Sequence, residues 1–395
     1  MNRVQKILLF VVGFIVTGSS VEATSIFARQ YDMKCSGCHV GGVPPMMNST
    51  GMQFLRNGLR FSKSDVTTLK KALDGEVIPV GFFIGAGVKD ASLIAQVKNP
   101  KTGKPMTIKQ DGKPENLISN LFLSGSLTEE LSGFMGGKFA YTKDKVTGNR
   151  SVELLGSKVY LQYNINEAQH VVRAGVISPY TQFGNVSKAS ENAGVDDVPN
   201  FFSSPISMAN KISIYGLDYT YLTDDGIMFL VAGGVLENTN DESNIVLGVN
   251  YDNGKNFKIG AILNSIKDTV SAQERSTYLP SEAILGERTT LMVPVEYYFG
   301  QGYFNTAVVY STDAADRSGN TTKDYYGSES ALTIPLFEAA KVRLVYTTDN
   351  NSGKSYAFSY SQLFFDSVML GANVAKVKTD KAEFDSMSAS VYYIF

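Results

Sequence analysis

The chain ends Ser386-Met387-Ser388-Ala389-Ser390-Val391-Tyr392-Tyr393-Ile394-Phe395. Met387, Ala389, Val391, Tyr393 and Phe395 fall on one parity, and Ser386, Ser388, Ser390, Tyr392 and Ile394 on the other. Successive side chains of a strand point to opposite faces, so this stretch reads as one strand with an apolar face and a smaller, more polar one. The same split recurs upstream. Leu217, Tyr219 and Tyr221 oppose Gly216, Asp218 and Thr220, and Ile245, Leu247, Val249 and Tyr251 oppose Asn244, Gly248 and Asn250. Val342, Leu344 and Tyr346 oppose Lys341, Arg343 and Thr347, and Tyr356, Phe358 and Tyr360 oppose Ala357, Ser359 and Ser361. A soluble β-sandwich alternates in the same way, so the pattern by itself leaves that fold open beside a membrane barrel.

Composition bears on the choice. The 395 residues include 23 Phe, 21 Tyr and 36 Gly but no Trp, and mean hydropathy is near zero. Many aromatics and glycines without long apolar runs suit strands that face different solvents on their two sides. The terminal strand resembles the last strand of bacterial outer-membrane barrels, whose C-terminal Phe is read by their assembly machinery. Strands of about ten residues, separated by turn signals such as Asp224-Asp225-Gly226, Asp252-Asn253-Gly254 and Asn350-Asn351-Ser352-Gly353, run from near Val77 to the end. They number about sixteen, which allows a closed antiparallel barrel. Pro294, inside the strand Leu291 to Phe299, implies a bulge or a misplaced boundary, because proline donates no ladder hydrogen bond. Polar connections at 89–115, 185–210 and 266–287 are the expected outer loops. The second holds Glu191, Asp196 and Asp197, a possible hard-cation cluster that also suits a solvated loop.

The chain opens with Arg3 and Lys6, the apolar run Ile7 to Val16, and the small-residue site Val21-Glu22-Ala23. This pattern predicts a cleaved export signal over residues 1–23. No later stretch offers about 18 uninterrupted apolar residues, so no membrane-spanning helix is expected. Net charge is −2, which gives no basic field to hold nucleic acid. Residues 24–76 read as short helices. Asn48 or Ser49 caps one that carries Met52, Leu55 and Leu59, and Ser64 caps another that carries Val66, Leu69 and Leu73 before Gly75. So small a segment buries too little surface to stand alone. It must lean on the 77–395 strand region.

Within that segment lies Cys35-Ser36-Gly37-Cys38-His39, which contains both cysteines and one of the two histidines of the chain. C-x-x-C-H is the spacing of covalent c-type haem attachment: two thiols bond the two vinyl arms of one haem and the adjacent imidazole reaches its iron. A thioredoxin-like redox pair would need an α/β context, and a zinc site would need further Cys or His ligands nearby.

An export signal, one C-x-x-C-H near the mature N-terminus, a short helical plug and a C-terminal barrel together resemble the fused monohaem cytochrome-porin family of the outer membrane of iron-oxidising bacteria. Phe27-Ala28-Arg29-Gln30-Tyr31 before the motif resembles the family's run there, and Pro45, Met47, Gly51, Phe54 and Gly58 resemble its pattern after the histidine. The motif resemblance covers about Ile26 to Phe61; beyond that it is one of architecture and length. It implies an all-β outer-membrane barrel of about sixteen antiparallel strands in a Gram-negative bacterium, with a helical haem segment plugging the lumen. It also implies one c-type haem held by Cys35 and Cys38 with His39 as proximal ligand. Where the family commonly has an acidic residue and Leu after proline, this chain has Met46 and Met47. These two thioethers on the stiffened Pro44-Pro45 segment are the first candidates for the sixth ligand, since Met/His ligation raises the potential. Met33, Met52, Met208, Met292 and His170 are the others. The implied function is electron transfer from extracellular Fe(II), or another one-electron donor, to a soluble periplasmic cytochrome, with membrane lipid and the barrel assembly machinery as further partners. A conduit with a different donor or direction, and a solute porin with a haem-bearing plug, are the rivals.

Overall fold

The computed structural model describes residues 27, 31–40, 47–62, 80–98, 105–112, 115–143, 150–188, 214–236, 243–267, 288–300, 302–312, 324–337, 339–350, 354–364, 367–378 and 382–394. The export signal, Met46, the Ser64 to Gly75 helix, the Glu191/Asp196/Asp197 loop, Met208 and Phe395 lie outside the described residues.

Before the strands lies the eight-residue helix α1 (Ser49–Arg56). The first strands are β1 (Val80–Lys98), β2 (Pro105–Gly112), β3 (Glu115–Ser126), β4 (Leu131–Lys143), β5 (Arg150–Ile165) and β6 (His170–Ile177). Next come β7 (Ile214–Leu222), β8 (Ile227–Leu236), β9 (Ser243–Asp252), β10 (Phe257–Lys267), β11 (Arg288–Phe299) and β12 (Gly302–Ser311). The wall ends with β13 (Tyr325–Phe337), β14 (Ala340–Asp349), β15 (Lys354–Phe364), β16 (Val368–Lys378) and β17 (Ala382–Ile394).

From β3 onward each strand pairs antiparallel with its successor, and the ring is completed by β1. Its Phe83 to Ala95 pair with Ile394 to Ala382 of β17, and its Val80 to Val88 pair with Leu123 to Glu115 of β3. Closure pairs the first strand of the wall with the last, so neither end of the sheet is left as a bare edge. β2 pairs Ala91 to Lys98 of β1 in the register that β3 keeps below it, Ala91 opposite Gly112 and Val88 opposite Glu115. The seventeen segments therefore form sixteen staves, β2 and β3 sharing one. The loop expected at 89–115 is thus corrected: most of it is wall.

Pro294 is likewise corrected. It pairs with Ala307 of β12 in an unbroken register, and on its other side the β10 ladder lapses between the Ile259–Val295 and Ile262–Met292 pairs and then resumes unshifted. There is no bulge at that point; the missing N–H is absorbed by a gap opposite Gly260.

The wall has two faces, as the alternation requires. Leu217 is 58% exposed and Ile245 54%, whereas Asp218 is 2% exposed and Asn244 is fully buried. The outward row is the lipid surface of a barrel, and the inward row lines a filled lumen. One filler is the 3-10 helix Pro179–Lys188, which follows β6 and folds inside. Its Tyr180 and Phe183 pack on Ile214, Met228, Leu230, Val246, Ile262, Met292, Ala307 and Val309. Gly248 makes this possible, because a Cβ there would lie 2.1 Å from the Phe183 ring. Arg173 anchors the same segment: Nε donates to Asp218 Oδ1 at 3.0 Å, Nη2 donates to Asp218 Oδ2, and Nη1 donates to Thr181 Oγ1 at 3.0 Å.

The two ends differ. The connections β5 to β6, β7 to β8 and β9 to β10 are tight, with positive φ at Asn166, Glu167, Ala168, Gly226 and Gly254. The connections that follow β6, β10 and β12 at the opposite end are longer. Short turns mark the periplasmic end of such a barrel.

Two outcomes follow from this packing. Val231→Arg, at an outward position in the middle of β8, should cost about 2–4 kcal/mol of folding free energy in bilayers, read from denaturant titration of the refolding barrel. Gly248→Val should displace Phe183 at a cost of about 1–3 kcal/mol and make the Pro179–Lys188 segment more sensitive to added protease.

Candidate functional site

The motif cysteines lie on a single turn. Cys35–Gly37 is 3-10, and the N–H groups of Cys38 and His39 both donate to the Cys35 carbonyl, at 3.2 and 2.9 Å. Spacings of three and four in a helical turn put Cys35, Cys38 and His39 on one side of it. The two cysteines form no disulfide with each other, and burial pushes the Cys38 thiol up from its ordinary value. Cys35 is buried among Leu363, Met369 and Tyr392 of the wall, with Ala339 beside them.

The backbones of His39 and Met47 form an antiparallel bridge, which sets Met47 beside the histidine. Asn48 then fastens the two ends. Its backbone N–H donates to Cys38 O at 2.9 Å, and its side-chain Nδ2 donates to Ser36 O at 3.2 Å and Gly37 O at 3.0 Å. Its Oδ1 accepts from the Gly51 N–H at 2.9 Å, the N-cap of α1. A Cβ on Gly51 would sit 2.3 Å from Cys38 O, so glycine there lets α1 lie directly on the motif turn. Met33 lies across the other side, its Cε 2.5 Å from where a Cβ of Gly37 would be.

Aromatic packing braces this small unit. Phe54 meets Phe27 at 4.8 Å, Tyr31 at 5.6 Å and Phe61 at 4.8 Å between ring centroids, and Tyr31 meets Phe61 at 4.9 Å. All but the tilted Phe54–Phe61 pair are edge-to-face, an arrangement that contributes about 0.5–1.5 kcal/mol per pair beyond burial. The sequence assigned the buried side of α1 to Met52, Leu55 and Leu59. Met52 and Leu59 are buried, but Phe54 takes the central place and Leu55 is only half-buried.

The barrel supplies the rest. The last carbonyls of a helix have no intrahelical partner, and here the wall provides them. Gln162 Nε2 of β5 donates to Leu55 O at 3.2 Å and Arg56 O at 2.8 Å, and Asn164 Nδ2 donates to Arg56 O at 3.1 Å. Arg60 Nη1 donates to Thr128 O, in the turn between β3 and β4, at 3.0 Å. Val40 packs on Tyr303, at the start of β12, with Tyr298 beside it. Thr128, Tyr303, Leu363, Met369 and Tyr392 all lie at the short-turn mouth. The haem-motif segment therefore sits inside the barrel at that mouth. Nothing in the local sequence pointed to Gln162 and Asn164, which lie more than a hundred residues from their acceptors.

Of the candidate sixth ligands, Met47 is returned beside His39 and Met33 lies against Gly37, while Met46 is outside the described residues. His170 is on the outer face, its ring stacked on Tyr221 at 4.8 Å and its Nδ1 2.7 Å from Tyr219 Oη. That is where the alternation placed it, and it keeps His170 out of the lumen. Met292 packs under Tyr180 and Phe183. The donor set fits a covalent haem: two thiols and an imidazole lie on one turn, and the backbone bridge sets Met47 beside the histidine.

No protein-family profile and no curated protein matches the chain. Solved structures do. It is similar to Salmonella typhi OmpF in complex with daunomycin, at 12% identity and a TM-score of 0.55, over 80% of this chain and 97% of that one. It is also similar to the anion-selective porin from Comamonas acidovorans, at 14% identity and a TM-score of 0.50, over 80% of this chain and all of that one. The fold shared with these is the outer-membrane β-barrel of porins.

Asn48→Ala removes a helix cap and the clamp on the motif turn together. It should loosen the segment by about 1–2 kcal/mol, seen as faster hydrogen exchange over residues 35–56 with the strands unchanged.

Proposed function

We propose that this chain is an electron-transfer barrel of the Gram-negative outer membrane, with a single c-type haem on Cys35 and Cys38 of a 24–76 plug and the 77–395 barrel around it. The observation that carries the reading is the placement of the Cys35-x-x-Cys38-His39 turn inside the lumen, clamped by Asn48 and packed on the wall through Cys35 and Val40. A plug of this size has too little core of its own. The wall residues Leu363, Met369, Tyr392 and Tyr303 supply the apolar surroundings that a haem site requires. His39 would hold one axial position and Met47, or its neighbour Met46, the other. A bound haem supplies one-electron chemistry, with a potential set by its axial ligands and burial.

The donor class follows from where the segment sits. The plug is at the periplasmic mouth, and the apolar band of such a barrel is about 25 Å tall. A donor outside the cell must therefore travel down the lumen. A small ion such as Fe(II) suits that path, and a soluble periplasmic cytochrome can meet the plug from below. Porin-like passage and electron transfer are then parts of one route. The second reading, a solute porin whose haem segment is only a plug, draws its support from the porin fold itself.

Covalent attachment is the first test. Haem should stay with the wild-type chain through acid-acetone extraction and be absent from the Cys35→Ala/Cys38→Ala variant. A wild-type barrel exported and assembled in cells that mature c-type cytochromes, yet free of haem, would leave the porin reading.

A further inference from the structure

Arg56 ends α1 inside the periplasmic mouth. Its carbonyl accepts from Gln162 and Asn164, but Nε and Nη2 of its guanidinium are shielded from solvent and have no hydrogen-bond partner. These two nitrogens form one edge of the guanidinium, the edge that grips a carboxylate with two parallel hydrogen bonds. The same molecule shows the grip completed: Arg173 uses Nε and Nη2 on the two oxygens of Asp218. Arg56 presents the identical edge without the carboxylate.

Asp252 is the acidic group that Arg56 senses, but it is already committed. Its Oδ2 is 2.8 Å from Lys258 Nζ and its Oδ1 accepts from the Gly254 N–H at 2.9 Å. Burial holds the Arg56 guanidinium below its ordinary value, at about 10. A buried cation with two unmade hydrogen bonds is costly, and a carboxylate arriving at that edge would remove the cost.

The plug geometry indicates which carboxylate. Gly51 touches the motif turn at Cys38 O, and Arg56 follows five positions on, about 7.5 Å along the helix axis. A haem bonded through its vinyl arms at Cys35 and Cys38 carries its two propionates on the opposite edge of the ring. We propose that Nε and Nη2 of Arg56 bind a haem propionate, which makes this arginine a positioning residue for the cofactor. The inference rests on the covalent attachment proposed above.

The experiment compares Arg56→Gln and Arg56→Lys in the full-length haem protein and in the Cys35→Ala/Cys38→Ala chain. In the haem protein, Arg56→Gln should shift the reduction equilibrium about tenfold toward the oxidised form, ~59 mV for one electron, and move the propionate bending band in resonance Raman. Arg56→Lys should fall between. Arg56→Gln should lower the unfolding temperature of the haem protein, yet leave that of the haem-free chain unchanged or raised, because there it only removes an orphaned charge. An unchanged potential and band, or equal destabilisation of both chains, overturns the inference; the second result means that the carboxylate comes from the chain or from solution. A wild type lacking covalent haem overturns the attachment reading and this one together, whereas attached haem indifferent to Arg56 overturns only this one.

Discussion

Inside a bilayer no water is available to satisfy a bare N–H or C=O, so a sheet that crosses it must close on itself. The pairing of β1 with β17 meets that constraint, and the rest of the molecule depends on it. Closure creates an interior that lipid does not share. Only there can Arg173 and Asp218 be buried as a pair, and only there can a helical segment too small to fold alone find a second wall. The apolar outward rows stabilise the barrel in lipid, while the inward rows hold what fills it.

Among the described residues, two segments fill the lumen by different means. The Pro179–Lys188 helix is held by aromatic packing on a glycine and by one arginine fork. The N-terminal segment is held by side-chain amides of β5 that take over the free carbonyls at the end of α1. Neutral hydrogen bonds of this kind contribute about 0.5–1.5 kcal/mol each. Their direction matters more than their strength, because they set the axial position of α1 and, through Asn48 and Gly51, of the motif turn. A shift of α1 along the lumen would carry Cys35 and Val40 away from the wall residues they pack on.

Much of the fold was legible because lipid enforces the period-two pattern wherever the wall is wet by it. The strands around Tyr219, Leu247, Leu344 and Phe358 face as their alternation said. The pattern failed at 89–115, where β1 and β2 pair, because Lys, Asp and Gln along that stretch interrupt the apolar row by which a strand is read. Pro294 misled because a proline costs a ladder only on the side its nitrogen faces, and that side is already open at Gly260. In the plug, Asn48 was legible as a helix cap, but its grip on Ser36 and Gly37 was not. Gln162, Asn164 and Arg56 left no local signal at all, since their roles exist only once the barrel has closed around α1.

If electrons cross through this chain on a haem carried by its plug, and not by leakage of a donor through an open pore, loss of the two cysteines must stop them. Purified protein in sealed vesicles enclosing an oxidised soluble cytochrome, with Fe(II) added outside, tests this directly. Wild-type vesicles should reduce the enclosed cytochrome much faster than vesicles holding the Cys35→Ala/Cys38→Ala barrel in equal amount. Equal rates from the two, with both barrels folded, would contradict it and leave a pore.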